Sequence, residues 1–294
     1  MYFCFVIWKN NRLFDLKKIY LEELKPMFGE NEALQMLNII IEHFFSLSRI
    51  QQALVPNHRL TESEMLSLHN AVKELKKNKP VQYITGETEF YGLRFFVNPS
   101  VLIPRQETEE LVDLIINKEK QDGLKVLDIG SGSGCIAVSL AKKLGQPEVI
   151  AFDISAPALA VAKKNAQINK VKVNFIEEDI LSPLQITENQ FDIIVSNPPY
   201  VCLSEKKLMQ PNVIDFEPHL ALFVEDTNPL EFYKAILDYT LKNLKIGGRL
   251  YFEINEALGK DVSKLLEERN FEDVNIHADI NGKDRMLSAL KSAI

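Results

Sequence analysis

The chain has 294 residues, 46% of them hydrophobic and 26% charged, enough to bury a full core in a main domain and still supply a smaller one. A net charge of −7 and a pI near 5.4 argue against a protein that grips nucleic acid through a broad basic face, which needs clustered Lys and Arg to neutralise phosphates. Cys4, Cys135 and Cys202 are odd in number and lack C-x-x-C spacing, and the five histidines are scattered, so neither a disulfide framework nor a metal site is expected, and a reducing cytoplasm is.

The apolar start from Met1 to Trp8 has no preceding basic region. It is too short for a membrane span and poorly formed as a signal peptide, so no membrane association is expected. Over residues 11–79 apolar side chains recur at three- and four-residue steps: Leu13, Leu16, Ile19, Tyr20 and Leu24, then Leu34, Leu37, Ile40, Ile41 and Phe44. That is the pattern of amphipathic helices. Gly29-Glu30-Asn31 separates the first from the second, and Thr61-Glu-Ser-Glu64 carries the capping-box signature of another start. The basic run from Lys73 to Lys79 reads as a solvated helix end. These helices make a small bundle without catalytic residues, either a packing unit or a recogniser of a macromolecular partner.

Residues 88–98 read as two short strands around Tyr91-Gly92, and residues 102–112 pass from an extended piece into a helix. Strand and helix signals then alternate. Strands are expected at 124–129, 148–153, 172–176, 191–196 and 249–254 and near Val274 and Met286; helices are expected at 135–144, 156–168, 229–244 and 259–269. Such alternation predicts an α/β fold, an open and mostly parallel sheet with helices on both faces. The expected organisation is an N-terminal helical recognition domain over 1–80, a β-hairpin linker over 81–104 and the sheet domain over 105–294.

The first strand of the alternation delivers Asp128-Ile-Gly130-Ser131-Gly132-Ser133-Gly134 and then a helix. Three glycines let the backbone pass close under a ligand at the sheet's carboxyl edge. Asp153, nineteen positions past Gly134 at the end of the next strand, is placed to accept bonds from both hydroxyls of a ribose. Dinucleotide fingerprints space their glycines G-x-G-x-x-G against a pyrophosphate. Here the spacing is tighter, and Asp128 would repel phosphate but suit the ammonium of an amino-acid tail, which favours S-adenosyl-L-methionine over NAD. Asp179, after the third strand, is either near the adenine or a solvated acidic turn. No phosphate loop or nucleophile elbow occurs. Cys135 stands at a helix start, where a thiolate is favoured, but with no histidine near in sequence it reads as a small packing residue.

Asn197-Pro198-Pro199-Tyr200 ends the run 191–196. The prolines cannot donate ladder hydrogen bonds, so the strand stops there in a rigid turn. By themselves the four residues read equally as a strand stop. Behind a glycine loop and a ribose acid on the same edge they read as a clamp for a planar NH₂, whose hydrogens go to the Asn197 side-chain oxygen and the Pro198 carbonyl while the Tyr200 ring covers the plane.

Glycine loop, ribose acid and Asn-Pro-Pro-Tyr together resemble a class I methyltransferase acting on a planar NH₂, and within that group the chain resembles the release-factor glutamine N5-methyltransferases, the PrmC/HemK family. The resemblance is carried also by Pro80-Val-Gln-Tyr-Ile-Thr-Gly86, Glu89-Phe-Tyr-Gly92, Val101-Leu-Ile-Pro-Arg105, Glu107-Thr-Glu109, Glu217-Pro-His-Leu-Ala-Leu-Phe223 and Gly282-Lys-Asp-Arg285. One departure is Gln106, where the family usually has proline. The resemblance implies a Rossmann-like sheet of seven strands, mostly parallel with one antiparallel, behind the helical bundle and hairpin. It implies S-adenosyl-L-methionine bound by Gly130, Ser131, Gly132, Ser133, Gly134, Asp153, the Asp179-Ile180 turn and Asn197. The substrate would be the glutamine of the Gly-Gly-Gln loop of peptide chain release factors, held by Asn197, Pro198, Pro199 and Tyr200, with Asn197, Pro198 and Tyr200 catalytic and the bundle helping to dock the factor. Alternatives are a ribosomal-protein glutamine, an exocyclic amine of adenine or guanine, or a non-catalytic cofactor-binding partner.

Overall fold

The computed structural model of the protein describes residues 10–183 and 190–293; the apolar stretch Met1 to Trp8, with Cys4, lies outside the described residues. The chain divides into two units, one of the residues up to Gly86 together with Pro211–Phe216, the other of Glu87–Gln210 and the chain from Glu217 onward. Among the described residues no helix is long and apolar enough to cross a membrane.

In the first unit the helical periodicity becomes α1 (Leu13–Phe28), α2 (Glu30–Phe45), α3 (Arg49–Leu54), α4 (Glu62–Leu75) and α5 (Val81–Thr85). Leu16, Tyr20 and Leu24 of α1, Leu37, Ile40 and Ile41 of α2, and Leu68, Val72 and Leu75 of α4 share one core. Side chains three and four apart lie on one helix face, and withdrawing that stripe from water drives the helices together. Gly29 turns the chain between α1 and α2 with φ 76°, a conformation that glycine takes without strain. Thr61 and Glu64 form the expected capping box: the Thr61 hydroxyl accepts from the Glu64 N–H at 3.3 Å, and the Glu64 carboxylate accepts from the Thr61 N–H at 2.7 Å. Ser48 and Gln51 make a second box that opens α3, too short a helix to show a period. The basic run ends α4 with Lys77 and Lys79 paired to Glu74 and Lys76 to Glu23.

The second unit opens with the hairpin β1 (Glu87–Phe90) and β2 (Leu93–Phe96), then α6 (Gln106–Lys118), β3 (Lys125–Ile129), α7 (Cys135–Lys143), β4 (Glu148–Asp153), α8 (Ala156–Asn169), β5 (Asn174–Glu177) and β6 (Phe191–Ser196). The short strands β7 (Val201–Cys202) and β8 (Phe223–Val224) pair with each other, and α9 (Glu231–Asn243), β9 (Leu244–Glu253), α10 (Gly259–Glu267), β10 (Phe271–Ala278) and β11 (Asp284–Lys291) complete the chain. The hairpin turn places Tyr91 at φ 51° and Gly92 at φ 70°; Glu109 of α6 accepts the Tyr91 N–H at 2.6 Å and holds this strained residue in place.

The main sheet has the order β10-β11-β9-β6-β3-β4-β5. β11 runs antiparallel to β10 and β9, and all other pairings are parallel, as the resemblance implied. Successive strand residues face opposite sides. Leu127, Ile129, Ile194, Leu250 and Phe252 pack against α9 and α10, whereas Val126, Ile193, Val195 and Tyr251 pack against α6 and α7. β9 starts five residues earlier than expected: Lys245-Ile-Gly-Gly248 lies in the strand, with an irregularity in its pairing to β6. The chain runs outward from β3 through β4 to β5, then returns to β6 on the other side of β3. That reversal opens a crevice at the carboxyl ends of β3 and β6, where open α/β sheets bind ligands.

Candidate active site

A largely apolar cavity of about 220 Å³ opens at these strand ends. It is lined by Gly130, Ser131, Gly132 and Ser133 after β3, Asp153 ending β4, Asp179 and Ile180 after β5, and Asn197, Pro198 and Pro199 after β6. Four segments far apart in sequence thus meet in one cavity. Ile129 of β3 pairs with Ser196 of β6, whose hydroxyl donates to the Ile129 carbonyl at 2.6 Å. The loops that follow therefore leave the sheet side by side, and a Cβ on Gly130 would stand 3.9 Å from the Asn197 carbonyl oxygen.

The Asp153 carboxylate is pinned at both oxygens: Oδ2 accepts the Gly132 N–H at 2.7 Å and Oδ1 the Ser155 N–H at 2.9 Å. Each oxygen keeps a further lone pair, so the group can still accept from a diol. Burial raises its pKa, opposed by the two backbone N–H bonds. Ile154 and Leu181 are 48% and 43% exposed and line the cavity beside Ile180, an apolar surface on which a flat ring can lie. Asp179 Oδ1 accepts the Leu181 N–H at 2.9 Å and shapes that turn. Carboxylate for a diol, apolar walls for a ring and a glycine loop between them fit an adenosine-bearing ligand. The loop is held from below by Asn165 of α8, fully buried, whose amide donates to the Ser133 and Phe96 carbonyls at 2.9 Å and accepts the Phe96 N–H at 2.7 Å.

Three residues lie elsewhere than expected. Asp128 does not line the cavity. Strand alternation turns it to the α7 side, where Oδ2 accepts the Ala137 N–H at 3.2 Å and burial pushes its carboxyl up to about 7. Gly134 does not line it either; an added Cβ there would meet the Ala162 Cβ at 3.0 Å, so this glycine lets α8 approach the loop. Tyr200 is not among the residues lining the cavity. Its ring packs against the core beneath the sheet's α9 side, and its hydroxyl donates to Glu253 Oε1 at 2.9 Å. Cys135 does line the cavity, with its thiol pushed up to about 12 by burial, so it is a neutral wall.

Four further residues belong to the site. Thr108 in the first turn of α6 lines the cavity; its hydroxyl donates to Glu253 Oε2 at 2.6 Å and accepts from Asn197 Nδ2 at 3.2 Å. Thr108 and Glu253 are each 2% exposed. Arg105 lines the cavity and pairs with Glu217, whose Oε2 accepts the Ile103 N–H at 3.1 Å. That pair ties the segment before α6 to the 217–221 turn across the mouth. Thr108, Arg105 and Glu217 sit inside segments that carry the family resemblance, which was their one available signal; Glu253 is a lone acid at a strand end. Among the described residues no cluster of three or more His, Cys, Asp or Glu is placed to hold a metal ion.

Residues 22–86 match the PrmC N-terminal domain and residues 107–214 the Methyltransferase small domain. The chain is 48% identical over 272 residues to a release factor glutamine methyltransferase of Flavobacterium psychrophilum, spanning 91% of this chain and 95% of that protein. It is 50% identical over 230 residues to another of Bacteroides thetaiotaomicron, spanning 78% and 82%. The chain belongs to the release factor glutamine methyltransferase family. The fold of this methyltransferase is shared by a crystal structure of a methyltransferase from Pyrococcus furiosus, at a TM-score of 0.53 and 17% identity over 76% of this chain and 99% of that one.

Proposed function

We propose that the protein methylates, in the cytoplasm, the side-chain amide nitrogen (N5) of the glutamine in the Gly-Gly-Gln motif of peptide chain release factors. Family membership supports the substrate. The observation that carries the chemistry is the meeting of Asn197 and Pro198 with the glycine loop and Asp153 in one cavity. When bound, S-adenosylmethionine supplies an electrophilic methyl group. Asp153 accepts from the ribose hydroxyls, Gly130 to Ser133 let the backbone pass beneath the donor, and Ile154, Ile180 and Leu181 cover the adenine, with Asp179 at its edge.

A carboxamide nitrogen is a poor nucleophile because its lone pair is delocalised, so the site must orient it. Asn197 Oδ1 and the Pro198 carbonyl accept one amide hydrogen each and aim the nitrogen for an in-line displacement. Pro199 fixes the turn that presents both acceptors. Tyr200 supports the site through Glu253 rather than by covering the amide. We assign no residue to the departing proton, because an N-methylated amide becomes acidic as the methyl arrives and releases it to water. The apolar walls exclude water and strengthen the orienting bonds.

Incubation with labelled S-adenosylmethionine and a purified release factor should label the factor, and a Gln-to-Glu variant of its loop should stay unlabelled. Asn197→Ala should abolish transfer while cofactor affinity stays within about tenfold, or ~1.4 kcal/mol. Near-normal turnover by that variant would sink the clamp, and label on the Gln-to-Glu factor would move the substrate elsewhere.

A further inference from the structure

An asparagine amide has nearly the same shape with its oxygen and nitrogen exchanged, so shape alone does not decide which end Asn197 presents to the cavity. The decision comes from two residues behind it. Thr108 Oγ1 lies 2.6 Å from Glu253 Oε2, and Tyr200 Oη lies 2.9 Å from Glu253 Oε1. Glu253 is 2% exposed, and as a carboxylate it only accepts, so each of its oxygens takes one hydroxyl hydrogen. The Thr108 hydroxyl has a single hydrogen and has given it to Glu253. Toward Asn197, 3.2 Å away, it can therefore only accept. An Asn197 oxygen at that place would face lone pair against lone pair beside the buried Thr108 hydroxyl, where an unmade bond is costly. The NH₂ end is thus held on Thr108, and Oδ1 is left for the cavity.

We propose that Thr108 and Glu253 are positioning residues that set the hydrogen-bond polarity of the Asn197 amide, so that Oδ1 faces the substrate NH₂ as an acceptor. The inference rests on the reading that Asn197 holds the substrate carboxamide. A flipped Asn197 would set donor against donor and leave the substrate nitrogen unoriented. The polarity runs one way through the relay, from Asn197 Nδ2 to Thr108 to Glu253, with the Tyr200 hydroxyl occupying the second carboxylate oxygen. Burial raises the Glu253 pKa, while the hydrogen bonds from Thr108 and Tyr200 and the Arg285 guanidinium favour the ionised form on which this depends. Glu253 contributes no atom to the cavity lining and acts only through Thr108.

Three variants of the full chain test the relay with a release factor as substrate. Thr108→Val keeps the shape and removes the acceptor; kcat should fall about 100-fold, the loss typical of one transition-state hydrogen bond, with the cofactor Kd and the KM for the factor within about threefold. Thr108→Ser restores the hydroxyl and should recover most of kcat. Glu253→Gln offers an NH₂ to Thr108, frees its hydrogen to point at Asn197 and so favours the flipped amide; it should fall as far as Thr108→Val. A second readout needs no substrate: in ¹⁵N-labelled enzyme the Asn197 side-chain amide protons should exchange slowly with water in the wild type and in Thr108→Ser, and rapidly in Thr108→Val. Wild-type kcat in Thr108→Val, equal impairment of the Ser and Val variants, or Asn197 amide protons unprotected in the wild type would each overturn the relay. A wild-type enzyme that labels no release factor while its Asn197 protons are protected would overturn the proposed function and leave the amide orientation standing.

Discussion

Alanine at Gly134 and alanine at Gly132 separate the two duties of the loop after β3. At Gly134 the new Cβ would stand 3.0 Å from the Ala162 Cβ and 3.3 Å from its Cα, at φ +77°. Ala162 is fully buried on α8, so a helix backbone has to give way. The left-handed conformation costs alanine roughly 1–2 kcal/mol, and forcing a methyl into a filled contact costs roughly 1–3 kcal/mol more. The smaller entropy of the unfolded alanine chain returns roughly 0.4–1 kcal/mol. The net loss is about 1–4.5 kcal/mol, a fall in Tm of roughly 2–18 °C for a unit of this size. At Gly132 the Cβ would meet nothing within 4 Å, at φ +52°. Only backbone strain remains there, about 1 kcal/mol, while the methyl intrudes at the cavity wall. Scanning calorimetry should therefore show the larger Tm loss in Gly134→Ala, and titration calorimetry with S-adenosylmethionine should show the larger affinity loss in Gly132→Ala. Equal Tm losses, or a Gly134→Ala enzyme of wild-type stability, would refute the division of labour.

Asp153→Asn keeps the size of the side chain but removes the charge and one acceptor. Losing one charge-assisted bond of about 1.5–3 kcal/mol should weaken S-adenosylmethionine binding by roughly 10- to 100-fold, and unchanged affinity by titration calorimetry would reject the ribose role. Asp128 bears on pH. Its folded carboxyl is raised to about 7 from an ordinary 3.8, so between those values the folded state holds a proton that the unfolded chain has released. The protonated group favours folding below about pH 4, and that stability is lost as pH rises toward 7. Asp128→Asn, which has no proton to lose, should thus gain on the wild type between pH 4 and 7 by up to roughly 4 kcal/mol, at about 1.4 kcal/mol for each pH unit crossed. A gain that is the same at pH 5 and pH 8 would show that Asp128 is ionised throughout.

Much of this protein is local and could be read from the sequence. Apolar period 3.6 made the bundle helices, period-two and continuous apolar runs made the strands, and glycines or prolines after a strand marked where the backbone must turn out of the sheet. Because parallel strands carry their functional loops at one edge, the order of elements was sufficient to bring Gly130 to Ser133, Asp153, Ile180 and Asn197 into one cavity. What the tertiary structure alone decided is where individual side chains point. Asp128 lies on the strand that leads into the glycine loop and yet faces α7, since alternation assigns each strand residue a side that depends on which neighbours cover it. Tyr200 is one residue past the two prolines and yet turns to Glu253. Thr108, 89 residues from Asn197, and Glu253, 145 residues from Thr108, are joined only because β9 lies beside β6 and α6 lies against both. Strand order and hydrophobic faces are set by patterns repeated along the chain, whereas the polarity of a hydrogen-bond relay depends on single atoms that only packing brings within about 3 Å of each other.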